Sequence, residues 1–221
     1  MAPDTTPVTP TAFLALDLPD WVLMDRRLYA QYDTGDFATG LELVAAIGAA
    51  AEEANHHPDV TLRYGRVDVA TRSHDAGNVT QRDLDLARTI SDLAASHGAT
   101  SQRDQVRLAE LALDVVDLPA VGRFWSAAFT GSPDHVDDDD VVDPDTQELI
   151  LWMQQTDAHE EPRQRFHVDL WLAPDAADAR IAAILAAGGV LVSDTEAPSF
   201  TVLADPEGNK VCICTCQERE A

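Results

Sequence analysis

The chain has 221 residues, 45% of them hydrophobic, enough to bury one large core or two small ones. Its 39 acidic against 15 basic residues leave a formal charge of −24, a field that repels polyphosphates and anionic lipid; no nucleic acid and no membrane are expected as partners. A neutral or cationic small molecule is the compatible class of ligand.

In chain order, residues 1–18 hold no basic region, and their apolar run AFLAL is too short for a signal peptide or a membrane span. Their Pro and Thr content predicts a flexible tail. WVLMD and RRLYAQYD read as two short strands around Asp25 and Arg26. Asp36 caps a helical run in which Phe37, Leu41, Val44, Ala45, Gly48 and Ala51 recur at helical spacing, ending near His56 before Pro58. Val60, Leu62 and Tyr64, then Val67, Val69 and Thr71, alternate on either side of Gly65, as two strands or one bulged strand. Thr80 caps a second helix with a stripe of Leu84, Ala87, Ile90 and Leu93, closing at Gly98. The first unit, 19–98, is therefore a two-layer β-β-α-β-β-α arrangement with an antiparallel sheet, and the polar stretch GATSQRDQ reads as a linker over 99–106.

From 107 to 221, strand LAELALDV and helix PAVGRFWSAAF are echoed by strand RFHVDLWL and helix DAADARIAAILAAGG, with Glu110 matched to His167 at an offset of 57 residues. Each copy closes on strand material, LILWMQQ in one and SFTVLAD with KVCICTC in the other, the latter two joined by the turn DPEGN. Two β-α-β-β-β modules result, and the whole chain is α+β. Between the modules, GSPDHVDDDDVVDPD reads as a solvated acidic loop. Cys212, Cys214 and Cys216 are odd in number and crowded together, which fits a reducing cytoplasm rather than a secreted disulfide scaffold. Their alternation suits buried small hydrophobes more than a zinc site. Trp125, Trp152, Phe166 and Trp171 suit either a pocket lining or core packing.

The chemistry concentrates in AEEANHHPDV, residues 51–60. Glu52 and His56, four apart, share a helix face, and the proline stops the helix with His56 and His57 at its rim. His74 ends the following β segment and Asp83 sits in the first turn of the next helix. Clustered imidazoles supply a proton donor and an acceptor near neutrality, with carboxylates to orient a ring or bind a substrate amine. Metal binding and plain capping or packing roles remain open on the residues alone, although adjacent His56 and His57 do not share the i, i+4 face of helical zinc ligands.

The spaced set Glu52, His56-His57-Pro58, Tyr64, His74 and Asp83 resembles the signature of the pterin-4a-carbinolamine dehydratases, also known as the dimerisation cofactor family. The resemblance covers roughly Asp20 to His97. It implies a lyase that removes water from a 4a-hydroxytetrahydropterin to give a quinonoid dihydropterin, needs no cofactor or metal there, and works as a homo-oligomer. It implies that His56 and His74 deliver protons to the departing hydroxyl, that His57 binds the pterin and acts as base, that Glu52 hydrogen-bonds the pterin ring, and that Asp83 orients His74. The alternative is a non-catalytic oligomerisation or regulatory module, a role that also exists in the family.

The second half, from about Arg107 to Gln217, is similar to glyoxalase-like domains of the vicinal oxygen chelate superfamily, whose members often hold a divalent metal on the opening and closing strands of each module. Glu110 and His167 fall on the opening positions, and Ile150 and Cys212 about where the closing ligands belong. That set leaves a hard-metal shell incomplete, with Lys210 adding a repelling charge, so no metal is expected there. The domain's small-molecule ligand is left open.

Overall fold

The structure is a computed structural model, and it describes residues 5–130, 132–146, 148–157, 166–186, 189–204 and 210–218. The chain divides into two compact units, Met1–Arg107 with Leu172–Ala176 and Thr215–Ala221, and Leu108–Trp171 with Ala177–Cys214. Among the described residues, no helix is long and apolar enough to cross a membrane.

In the first unit, α1 (Pro10–Leu14) lies inside the stretch read as a flexible tail. Thr9 caps it, Phe13 and Leu18 are buried, and the Val8 N–H donates to the Val79 carbonyl. The run AFLAL therefore closes part of the core, because one short helical turn is enough to turn its apolar side chains inward. β1 (Val22–Met24) and β2 (Arg27–Asp33) form a hairpin through Asp25 and Arg26, both left-handed at φ 39° and 58°, which matches a two-residue turn to strand twist.

α2 (Phe37–Ala54) follows, capped by Asp36, which accepts from the Thr39 N–H at 2.8 Å. Its buried stripe is Gly40, Leu43, Ile47 and Ala51, whereas Phe37 and Leu41 are 48% and 54% exposed. The sequence stripe was thus one face off. The helix is apolar on more than one side, so period alone does not choose the face; Gly40 does, since a Cβ there would lie 2.7 Å from Leu62 Cδ1. β3 (Asp59–Arg63) and β4 (Arg66–Thr71) are two strands of a second hairpin, not one bulged strand, turning at Tyr64 and Gly65. α3 (Gln81–Ser96) buries Leu84, Leu86, Ala87, Ile90 and Ala94.

The sheet runs β1-β2-β4-β3, all antiparallel, with the two longer helices packed on the core that also holds Trp21, Tyr32, Val67 and Val69. The stretch read as a linker contributes β5 (Thr100–Ser101), which pairs with β2, and a buried Val106, so it is part of this unit. The capacity of its backbone to add to an open sheet position outweighs its polar composition.

The second unit is built mainly from β6 (Arg107–Val115), α4 (Leu118–Thr130), β7 (Val136–Asp137), β8 (Asp140–Val142) and β9 (Leu149–Gln155), then β10 (Phe166–Leu172), α5 (Pro174–Ala186), β11 (Val190–Ser193), β12 (Phe200–Ala204) and β13 (Lys210–Cys214). These are the two β-α-β-β-β modules, merged into one eight-stranded sheet of order β11-β12-β13-β10-β6-β9-β8-β7. The aspartate run is a hairpin rather than an open loop. Asp138 supplies the left-handed turn position at φ 54°, Asp139 accepts from the Trp152 indole at 2.9 Å, and Val141 is fully buried. The turn DPEGN and the side chain of Phe166 lie outside the described residues.

On β6, Leu113 and Val115 face a core with Val141, Leu151 and Met153, while Glu110, Ala112 and Asp114 take the alternate positions. Glu110 accepts from the Trp171 indole, and Asp114 Oδ1 lies 3.6 Å from His167 Nδ1. An offset of 57 carries Glu110 to His167 and Asp114 to Trp171, so the two contacts are the same contact made twice. The register refines the closing positions: Ala112 pairs with Trp152 and Asp169 with Cys212. Ala112 and Asp169 are themselves 57 apart, which makes Trp152, not Ile150, the counterpart of Cys212.

Candidate functional site: an aspartate-anchored histidine in the first unit

α2 ends at Asn55 in the left-handed conformation, φ 48° and ψ 42°. The His56 N–H donates to the Ala51 carbonyl at 3.1 Å and the Asn55 N–H to Glu52 at 3.2 Å, the paired bonds of a Schellman ending. This reversal separates two adjacent histidines. His56 turns inward and is 8% exposed, while His57 stays outside and its Nε2 lies 3.1 Å from Glu52 Oε1. The structure therefore pairs Glu52 with His57 rather than with His56, because the helix no longer continues through position 56.

Asp83 is fully buried in the first turn of α3. Its Oδ1 accepts from His56 Nε2 at 2.8 Å and from the Thr71 hydroxyl at 2.8 Å. Its Oδ2 accepts from the Ser73 hydroxyl at 2.7 Å, the Thr80 N–H at 2.8 Å and the Thr80 hydroxyl at 3.3 Å. Burial pushes this carboxyl up, but the bonds from His56, Thr80, Ser73 and Thr71 outweigh it and hold the group below its ordinary value. An ionised carboxylate only accepts, so this bond places a hydrogen on His56 Nε2 and leaves Nδ1 on the other side of the ring from the carboxylate.

Asp83 thus anchors His56, a correction to what the resemblance implies, which was His74. The reason is local: Thr80 and Asp83 form a capping box, which folds the carboxylate back toward the N-terminus of α3 and the end of β4. Thr71 and Ser73 were missed in the sequence. Their signal was the period-two burial that continues from Val67 and Val69 through Thr71 to Ser73.

His74 opens a 3-10 turn, His74–Ala76, in the loop closed by the Ser73–Asn78 bridge, and it is exposed. Beside it, Arg82 donates to Asp75 at 2.5 Å and, with a smaller contribution from His56, holds the Asp75 carboxyl low. The motif's Tyr64 is 83% exposed at the turn beyond Arg63, the end of β3 remote from Pro58, so the structure does not bring it to His56. What converges is the C-terminus of α2, the end of β4 and the first turn of α3. A buried imidazole with a fixed tautomer, flanked by exposed imidazoles and a carboxylate, can move protons without a metal.

Comparison with known proteins matches each half of the chain to a family. Residues 6–93 match the family described as pterin 4 alpha carbinolamine dehydratase, and residues 110–214 match the family described as glyoxalase-like domain. A relative from Streptomyces coelicolor, named provisionally as a pterin-4-alpha-carbinolamine dehydratase, is 42% identical over 37% of this chain and 82% of its own length. Relatives with the same name from Thermosynechococcus vestitus and Thermomicrobium roseum are 39% and 38% identical, over 98% and 90% of their own lengths. A solved structure titled transcriptional coactivator/pterin dehydratase, from Brucella melitensis, is 28% identical, covering 40% of this chain and 99% of that one at a TM-score of 0.37. Through its first unit, then, the chain belongs to the pterin 4-alpha-carbinolamine dehydratase family, and it carries a glyoxalase-like domain after it.

Proposed function

We propose that the first unit catalyses dehydration of a 4a-hydroxytetrahydropterin to the quinonoid dihydropterin. The observation that carries this reading is the buried His56–Asp83 pair, set among exposed His57, Glu52 and His74 in a unit of dehydratase lineage. The elimination breaks the C4a–O bond, with one proton delivered to the leaving hydroxyl and one removed from a ring N–H. His74 delivers the proton to the hydroxyl, aided by His56; His57 takes the ring proton; Glu52 holds His57 and hydrogen-bonds the pterin ring. Asp83 fixes the tautomer and direction of His56. No metal or cofactor enters these steps.

The test is stopped-flow absorbance of 4a-hydroxytetrahydropterin with the full chain and with His74→Ala. Acceleration by the first, reduced by about 100-fold or more in the second, is the expected result, the usual scale for losing a general acid or base. A folded full chain that leaves the reaction at its spontaneous rate would instead make this a binding or regulatory module.

The same proposal includes a homo-oligomer in a reducing cytoplasm. Phe37 and Leu41 on α2 are exposed, β3 is an edge of its sheet, and Cys212, Cys214 and Cys216 are not joined in disulfides. Light scattering coupled to size exclusion measures the assembly directly, and a monomer at micromolar concentration would remove that part.

A further inference from the structure

Three imidazoles stand at the first site, and two of them have a carboxylate of their own: Asp83 for His56 and Glu52 for His57. Among the described residues, no hydrogen bond or ion pair holds the imidazole of His74, so its place is set by the backbone turn that carries it. Asp75 follows it directly in that turn and accepts from Arg82 at 2.5 Å. We propose that the Arg82–Asp75 pair is a brace that positions His74 as the proton donor to the leaving hydroxyl, an inference that rests on the dehydratase reading above.

The base of the turn is fixed without this pair. The Ser73 N–H donates to the Asn78 carbonyl at 3.0 Å, and the Ser73 hydroxyl donates to Asp83 at 2.7 Å. Within the turn, the Ala76 N–H donates to the Ser73 carbonyl at 3.0 Å and the Gly77 N–H to the His74 carbonyl at 3.2 Å, with Gly77 left-handed at φ 59°. These bonds determine where the excursion leaves the sheet and where it returns. They leave its outer end, residues 74 and 75, to swing about its base, and that end is where Arg82 takes hold.

Arg82 is suited to the task by its own setting. Its Nε is shielded from water and has no hydrogen-bond partner among the described residues, so the stem lies against protein and only the end of the guanidinium reaches out. The Asp75 carboxyl is held low by the Arg82 bond first and by His56 to a smaller extent, which puts the pair within electrostatic range of the buried imidazole. Arg82 and Asp83 are consecutive in the first turn of α3. One helical turn thus holds His56 through Asp83 and the His74 segment through Arg82, and so gauges the distance between the two imidazoles.

With side chains 31% and 45% exposed, the Arg82–Asp75 pair adds little to global stability. Its effect is geometric. A general acid must come within hydrogen-bond reach of the group it protonates, and a misplacement of about 1 Å can cost about 100-fold in rate.

The experiment is stopped-flow dehydration of 4a-hydroxytetrahydropterin by the full chain, by Arg82→Gln and Asp75→Asn, and by the exchange Arg82→Asp with Asp75→Arg, each shown by circular dichroism to be folded. Either single variant should lower kcat about 10-fold with KM within about 2-fold, and the exchange should return kcat to within about 3-fold of the wild-type chain. Unchanged kcat in folded Arg82→Gln, or an exchange no better than the single variants, would overturn the brace. A second measurement, nitrogen-15 relaxation of the full chain, does not depend on turnover. Order parameters at Asp75, Ala76 and Gly77 should lie at about 0.85 in the wild-type chain, fall below about 0.6 in Arg82→Gln and recover in the exchange. A wild-type chain without turnover removes the proton-donor role together with the dehydratase reading, whereas order parameters that stay high in Arg82→Gln remove the brace itself.

Discussion

At the scale of single residues, Asp83 decides how the first site behaves. Five hydrogen bonds converge on one buried carboxylate, and each donor belongs to a segment that must be in place for His56 to be aimed. Asp83→Asn keeps the shape but offers an NH2 where donors already point, and should lower the unfolding free energy by about 3 kcal/mol in a denaturant melt at neutral pH. It should also lower kcat for dehydration more than KM, since the defect is in the alignment of His56. The pH dependence has a definite sign. Because the folded carboxyl is held below its ordinary value against burial, its stabilisation is present in full above about pH 4, the unfolded-chain value, and is lost as pH falls through the lower folded value. The variant should therefore lack that part of the acid limb, and an unchanged limb would remove Asp83 as the titrating group.

At the scale of elements, two backbone positions do what hydrophobic period cannot. Asn55 ends α2 in the left-handed region and so sends His56 inward and His57 outward. Asn55→Ala should cost about 1–2 kcal/mol of stability in a thermal or denaturant melt, while Asn55→Gly should cost nothing measurable. Equal losses in both would mean that the Asn side chain, not its backbone conformation, holds the turn. Gly40 works in the same way on the sheet side, where helix and strand approach too closely for a Cβ. These positions explain what was legible in the sequence and what was not. Strand alternation at Val67, Val69 and Thr71, the caps at Asp36 and Thr80, and the paired modules follow from local rules, and the structure keeps them. The face of α2, the partner of Asp83 and the closing position at Trp152 depend on close approach and register between segments distant in the chain. Local pattern carries no term for those.

At the scale of the whole molecule, the charge of −24 works against compactness through self-repulsion. Screening should relieve it, so the melting temperature should rise by a few degrees between low salt and about 0.5 M sodium chloride, as scanning calorimetry would show. A falling melting temperature would place the dominant electrostatics in local pairs such as Arg27 with Asp59. The second unit carries a different message in its doubled contact, Glu110 with Trp171 and Asp114 with His167. A contact in which residue i of one copy meets residue j of the other, and j meets i, is the mark of an isologous interface. The eight-stranded sheet is thus laid out as a two-fold dimer of modules within one chain. At the matched places a glutamate in one half stands for a histidine in the other and an aspartate for a tryptophan, so the two halves keep one contact with different chemistry.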